Sequence, residues 1–189
     1  VVNVHHFAEQ IIETVERSNG WGSDIIISDE RDEVLETGGG LLKARPLLET
    51  EERFITLNAD ILTDLDISAL LDFHKKEKAL ISLAVSNRKS SRCFLMDNTH
   101  RLCGWKNKTT GEEKIASNAI PLYEKAYDCV AVFETKIFDI IPQRGKFSLT
   151  ETYLSIAADH KILGYEQDGY QFIDVGKPES VAVAESMFY

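Results

Sequence analysis

Positive charge is scarce in this chain. Its 189 residues hold 21 Lys and Arg against 31 Asp and Glu, a formal net charge of -10. A nonspecific nucleic-acid binder needs a basic face, so the balance argues against that class. A phosphate-bearing substrate stays compatible, because a bound cation reverses the local field. Cysteine is scarce as well. Cys93, Cys103 and Cys129 are odd in number and lack metal-ligand spacing, which predicts reduced thiols in a cytoplasm. No apolar run reaches transmembrane length, and no signal peptide is visible. The chain has no internal repeat, no low-complexity segment and no defensible Ser-His-Asp or Cys-His arrangement. What is present is 43% hydrophobic and 28% charged, the texture of a soluble globular chain whose length fits one domain.

Strand and helix patterns alternate through the first half. Val1 to Val4 reads as a strand and Phe7 to Arg17 as a helix, with Phe7, Ile11, Ile12 and Val15 at helical spacing. Asp24 to Ser28 is a β-branched strand. A polar loop, three glycines and a helix over Leu41 to Leu48 follow, then a strand over Phe54 to Asn58. Asp66 to Lys78 reads as a helix with Ile67, Leu70, Leu71 and Phe73 inward, and Leu80 to Val85 as a strand. This alternation predicts βαβ units. The fold class expected is α/β: a Rossmann-like mixed, mostly parallel sheet with flanking helices. Short strands at Cys93–Met96, Leu102–Lys106 and Lys114–Ile115, with turns at Asp97-Asn98 and Thr110-Gly111, predict a small antiparallel insertion over 90–118. Tyr127 to Phe133 is a strand, Leu149 to Asp159 a helix, Ile162 to Tyr165 and Phe172 to Val175 strands, and Glu179 to Phe188 a helix. The start on a strand without Met predicts that an amino-terminal piece is absent from this chain.

Two aspartates carry the chemistry. Asp60 ends Arg53-Phe54-Ile55-Thr56-Leu57-Asn58-Ala59, and Asp174 closes Tyr170-Gln171-Phe172-Ile173. Carboxylates at the carboxyl ends of buried strands face the crevice where open α/β sheets bind ligands. Two of them can hold a hard divalent cation against phosphates. The bland readings are a turn at each. Asp66 is the better helix cap, so Asp60 takes the chemical role.

Gly38-Gly39-Gly40, after Thr37, would let backbone approach a base or phosphate, or would be a flexible loop or a helix start that needs unusual dihedrals. No Gly-Lys-Ser/Thr follows, so this is not a Walker loop. Lys106 on a predicted ribbon reads locally as solvated, and Glu151 as compensation of a helix N-terminus. His5 and His6 are kept structural, since neighbouring strand residues point to opposite faces.

The motifs taken in order resemble the sugar-phosphate nucleotidylyltransferases over essentially the whole chain. They are Val2-Asn3-Val4-His5-His6, Leu35-Glu36-Thr37-Gly38-Gly39-Gly40, Leu57-Asn58-Ala59-Asp60-Ile61-Leu62-Thr63-Asp64-Leu65-Asp66 and Phe172-Ile173-Asp174-Val175-Gly176-Lys177-Pro178-Glu179. The likeness is to the branch with mannose-1-phosphate guanylyltransferases and N-acetylmuramate-1-phosphate uridylyltransferases. It implies transfer of a nucleoside monophosphate from a nucleoside triphosphate, UTP or GTP, to a sugar 1-phosphate, with pyrophosphate leaving. It implies Mg2+ held by Asp60 and Asp174, the Thr37 to Gly40 segment near the base, Lys106 at the sugar phosphate and Glu151 at sugar hydroxyls. No nucleic acid or membrane partner is implied, and a homo-oligomer is open.

Three departures stand against the family pattern. Its Gly-rich loop with Arg and Pro-Lys is absent, so this chain as given is expected to be inactive. Lys177 stands where Thr is common, and Trp105-Lys106-Asn107 where Glu-Lys-Pro is common. Two rival readings follow. One is a non-catalytic module of the same fold. The other is a glycosyltransferase using Asp64-Leu65-Asp66 as its metal motif.

Overall fold

A computed structural model describes residues 1–188, which form two compact units. The first comprises residues 1–52 and 135–153, the second 53–134 and 154–188.

The first unit opens with a β-α-β arrangement. Strand β1 (Val2–Val4) and strand β2 (Ile27–Asp29) pair in parallel, joined through helix α1 (Ala8–Arg17). His5 and His6 lie past the end of β1, so strand alternation does not reach them, and their rings meet edge-on at 4.5 Å. His5 Nδ1 is committed to the Glu30 carbonyl at 2.6 Å. Helix α2 (Glu36–Lys43), helix α3 (Arg45–Leu48) and helix α5 (Ile137–Ile140) belong to the same unit.

The sequence reading set the three glycines between a polar loop and a helix, as a loop or as a helix start. They lie inside α2, and all three are buried. Packing overrides their poor helix propensity. The N–H groups of Gly38 and Gly39 donate to the Phe147 carbonyl, at 2.9 and 3.2 Å. A β-carbon on Gly39 would strike the Gly145 carbonyl, and one on Gly38 the Phe147 ring.

The second unit holds a seven-stranded sheet. Its order is β10 (Ile162–Tyr165), β5 (Ile81–Ser86), β9 (Tyr123–Glu134), β6 (Arg92–Met96), β7 (Leu102–Asn107) and β8 (Glu113–Ile115), with β3 (Arg53–Leu57) also on β9. Five consecutive buried residues in β5 mark it as a strand covered on both faces. Helix α4 (Ile67–Glu77) is capped by Asp66, whose side chain accepts the Ala69 N–H at 2.9 Å. Leu70 is fully buried, with Ile67 and Leu71 packed on the same cluster as Leu65, Val130 and Val132. Phe73 lies against Tyr165 at 5.2 Å between ring centroids.

The mixed α/β architecture with a central sheet and flanking helices is the one expected, and so is the antiparallel ribbon of β6, β7 and β8. The balance of pairing differs from the expected mostly parallel sheet. Parallel pairs are β1 with β2 and β10 with β5, while β9 pairs antiparallel with β3, β5 and β6. The reason is the length of β9. Its first residues extend the ribbon and its last ones run between β3 and β5. Outside this sheet, β4 (Ile61–Thr63) pairs antiparallel with β11 (Phe172–Asp174), and helix α7 (Pro178–Phe188) follows. No helix among the described residues is long and apolar enough to cross a membrane.

Candidate active site

Asp60 does not end β3 directly. The strand stops at Leu57, and the Ile61 N–H returns to the Asn58 carbonyl at 3.2 Å, so Asp60 sits in a turn leading into β4. That turn sets it beside Asp174. In the β4–β11 ladder Asp174 pairs with Ile61, and the Val175 N–H donates to the Asp60 carbonyl at 2.8 Å. The two carboxylates converge on Gly176. A β-carbon built there would lie 3.0 Å from Asp174 Oδ1 and 3.2 Å from Asp60 Oδ2. The Gly176 N–H donates to Asp174 Oδ1 at 2.9 Å, which fixes one carboxylate. Both aspartates are exposed. The structure therefore brings together two carboxylates 114 positions apart in the chain, with a glycine keeping the space between them clear.

A bulge lies against this turn. Between the pairs Leu83 with Ala131 and Val85 with Tyr127, three residues of β9 oppose Ala84 alone. Cys129, inside the bulge, has φ of 59°, which a residue with a β-carbon rarely adopts. Its carbonyl accepts the Asn58 N–H at 3.2 Å. Burial pushes the Cys129 thiol up to about 11, helped by the charges of Asp60, Asp128 and Asp174 and opposed by Arg88. The thiol is protonated at neutral pH and is not a nucleophile there.

Sequence reasoning missed Asp128 and its partners. Asp128 is 1% exposed, and its carboxylate accepts from Arg88 Nε at 2.6 Å, from Ser86 Oγ at 3.1 Å and from the Tyr170 hydroxyl. Burial and the Asp128 carboxylate together hold the Tyr170 phenol well above its ordinary value. No local pattern joins residues 86, 88, 128 and 170. The one available signal was a charged Asp inside the apolar run Tyr127–Phe133.

The remaining predicted residues have structural partners. Lys106 Nζ lies 3.4 Å from Glu113 and 3.6 Å from Glu124, both on strands next to or near its own. Glu151 completes a capping box: its N–H donates to Ser148 Oγ at 3.2 Å, and its carboxylate accepts the Ser148 N–H at 3.4 Å. Thr37 Oγ1 accepts the Leu149 N–H at 3.0 Å, at the start of helix α6 (Leu149–Ile156). Thr37 to Gly40 and Glu151 lie in the first unit; Asp60, Asp174 and Lys106 lie in the second. Asp64 and Asp66 are also engaged. Asp64 accepts the Gln171 N–H at 2.5 Å and Asp66 caps α4, which gives the Asp64-Leu65-Asp66 spelling a structural explanation. Among the described residues no cluster of three or more His, Cys, Asp or Glu is arranged to hold a metal ion.

No family model matches the chain. Individual proteins do. The N-acetylmuramate alpha-1-phosphate uridylyltransferase of Caulobacter vibrioides is 26% identical over 195 residues, covering 98% of this chain and 76% of that protein. The mannose-1-phosphate guanylyltransferase of Mycobacterium tuberculosis is 30% identical over 151 residues, covering 77% of this chain and 39% of that protein. The chain's homologues are sugar-1-phosphate nucleotidylyltransferases. The fold agrees. HddC from Yersinia pseudotuberculosis superposes with a TM-score of 0.74 at 20% identity, covering 99% of this chain and 77% of that one. Its complex with GMP-PN superposes at 0.70, with 19% identity and coverage of 96% and 75%.

Of the residues expected from the sequence, Asp60 and Asp174 are the two carboxylates that the structure brings together, whereas Lys106 is paired with Glu113 and Glu124. Two carboxylates without a third protein ligand suit a magnesium ion, which keeps waters and takes substrate phosphates in its remaining positions. They would not suffice for a structural zinc or a calcium cage.

Proposed function

We propose that this protein is a sugar-1-phosphate nucleotidylyltransferase that uses Asp60 and Asp174 to hold Mg2+. The convergence of the two carboxylates on Gly176 carries the reading. The homologues supply the reaction class. A phosphate oxygen of the sugar 1-phosphate attacks the α-phosphorus of the nucleoside triphosphate, the bond to the β-phosphate breaks, and pyrophosphate leaves with that electron pair. Magnesium bound at the pair supplies positive charge to phosphate oxygens of both substrates. A chain of net charge -10 has need of it where two anions meet beside two carboxylates.

The rest of the work is positioning, as phosphoryl-group chemistry demands. The β4–β11 ladder holds Asp60 and Asp174 in register, and the Gly176 N–H orients Asp174. Lys106 and Glu151 enter the proposal with less weight, because each already has a structural task. The three cysteines are free, which supports a reducing, cytoplasmic setting.

Because this chain lacks the family's Gly-rich loop, the test is pyrophosphate release by a version of the protein that carries that loop, with UTP or GTP and a panel of sugar 1-phosphates, with and without Mg2+. Magnesium-dependent release with one pair is the expected result; none with any pair overturns the reading. Outer-shell partners of a metal are commonly worth ~10–100-fold, so loss of an inner ligand in Asp60→Asn should lower turnover on the order of 10³-fold. The thermal midpoint of that variant should stay near wild type, since Asp60 is exposed. Near-normal turnover would remove Asp60 from the mechanism.

A further inference from the structure

Beside β11 lies an open cavity of about 470 Å³, bounded in part by Asn87, Arg88, Gln167, Tyr170, Gln171 and Phe172. All belong to the second unit. The wall has amide groups able to both donate and accept, two aromatic rings, a guanidinium and two carboxylates, Glu166, which is paired with Lys125 at 2.5 Å, and Asp168. That mixture suits a ring carrying hydroxyls and one anionic group.

Arg88 is held in place from three directions. Its Nε donates to buried Asp128 at 2.6 Å, its Nη2 donates to the Tyr127 carbonyl at 2.6 Å, and its Cζ stands 4.3 Å from the Phe172 ring centroid. Nη1 has no hydrogen-bond partner among the described residues, and the side chain is 33% exposed. A guanidinium locked in this way presents its free edge at little entropic cost.

The cation also faces the right place. Phe172, on which it stacks, is two residues before Asp174 in β11, so both side chains lie on one face of the strand, about 7 Å apart. Lys106, by contrast, is already balanced by Glu113 and Glu124.

We infer that Arg88 binds the phosphate of the sugar 1-phosphate, with the sugar ring in the cavity between Arg88 and Gln171. The inference rests on the proposed nucleotidylyltransferase activity and gives Arg88 the contact that the family likeness implied for Lys106. Arg88 is a substrate-binding residue here, and Asp128 positions it.

The rival explanation is that Arg88 only neutralises Asp128, and a double variant separates the two. Binding of mannose 1-phosphate, glucose 1-phosphate and N-acetylglucosamine 1-phosphate to the full chain would be measured by calorimetry, and the tightest of them carried forward. Arg88→Gln should weaken it at least about tenfold, since hydrogen bonds to charged groups are among the stronger ones. Nucleoside triphosphate affinity should stay within about twofold. In Arg88→Gln with Asp128→Asn the buried charge is gone, so a purely structural Arg88 predicts recovery of wild-type affinity. The inference predicts that the loss persists. Wild-type affinity in the double variant overturns it. Pyrophosphate release by a version of the protein that carries the family's Gly-rich loop tests the parent reading separately. Turnover with an unaffected double variant removes Arg88 alone, whereas no turnover and no sugar 1-phosphate binding removes both.

Discussion

Gly38–Gly40 and Gly176 are both glycine sites where an added β-carbon would meet close neighbours, yet different things crowd them. At Gly39 the obstacles are the Gly145 carbonyl and Leu35 Cβ, and at Gly40 they are Glu30 and Asn3. All three helical glycines are buried. At Gly176 the obstacles are two exposed carboxylates. The first is a packing solution: the Gly145 backbone and the side chains of Phe147, Glu30 and Asn3 come so close to α2 that no side chain fits. The second is an opening kept clear between two like charges, an arrangement that favours a cation. Crowding around buried glycines marks architecture, and crowding by exposed charge favours a cation.

The sharpest way to break this contrast is to fill both spaces. Gly39→Ala should destabilise the protein. Alanine gains ~1 kcal/mol in helix propensity, but overpacking against a carbonyl commonly costs ~1–3 kcal/mol or more, so a net loss of about 2 kcal/mol is expected. Equilibrium urea unfolding would show it, and an unchanged midpoint would mean that α2 shifts freely. Gly176→Ala should do the opposite. Its neighbours are flexible exposed side chains that can swing aside, and alanine restricts the unfolded chain, so stability should hold or rise by up to ~1 kcal/mol. Magnesium affinity, measured by calorimetry, should fall about tenfold as the carboxylates are pushed apart. Loss of stability without loss of magnesium binding would make Gly176 another packing glycine.

Cys129 offers a milder probe of the same pair. Its thiol is raised to about 11 from an ordinary 9.0, first by burial and then by Asp60, Asp128 and Asp174. A raised folded-state value stabilises the fold below the unfolded value and loses that effect as pH climbs. The stability contribution is therefore complete below pH 9 and fades towards pH 11. Alkylation of Cys129, followed site by site by mass spectrometry at pH 8.5, should be slow. Asp174→Asn should accelerate it several-fold by removing a charge that disfavours the thiolate. Saturating Mg2+ should act in the same direction. No response to either change would place the carboxylates outside the reach of the thiol.

The same division separates what could be read in the sequence from what could not. Helix α4 was legible because Asp66 announces it and Ile67, Leu70 and Leu71 repeat at its period. The ribbon of β6 to β8 was legible from its turn residues at 97–98 and 110–111. The Asp60 and Asp174 pair was legible from the positions of the two residues after apolar runs, together with the family likeness. Gly38–Gly40 misled, since glycine signals a break, and the groups that pack these three into a helix, among them Asn3, Glu30, Gly145 and Phe147, lie elsewhere in the chain. Strand β4 was missed because three residues after a turn carry no period, and its partner is β11. The Arg88–Asp128–Tyr170 cluster was hidden for the same reason. Its members are joined by a bulge in β9 and by contacts across 39 to 42 positions, which no local pattern encodes.

The smallest effect expected belongs to Glu151, and it tests whether a residue can serve architecture and substrate at once. Ser148 and Glu151 satisfy each other's N–H groups at the start of α6, and glutamine serves that reciprocal cap as well as glutamate does. Glu151→Gln should therefore leave the thermal midpoint within a degree or two, while Glu151→Ala should cost about 1 kcal/mol. If Glu151 also holds a sugar hydroxyl, as the family likeness implies, Glu151→Gln removes the charge but keeps an acceptor, and KM for the sugar 1-phosphate should rise about threefold or less. An unchanged KM in Glu151→Gln, with stability lost only in Glu151→Ala, would assign the residue wholly to the helix. It would then join Gly38–Gly40 on the architectural side of the comparison and leave Asp60, Asp174 and Arg88 on the other.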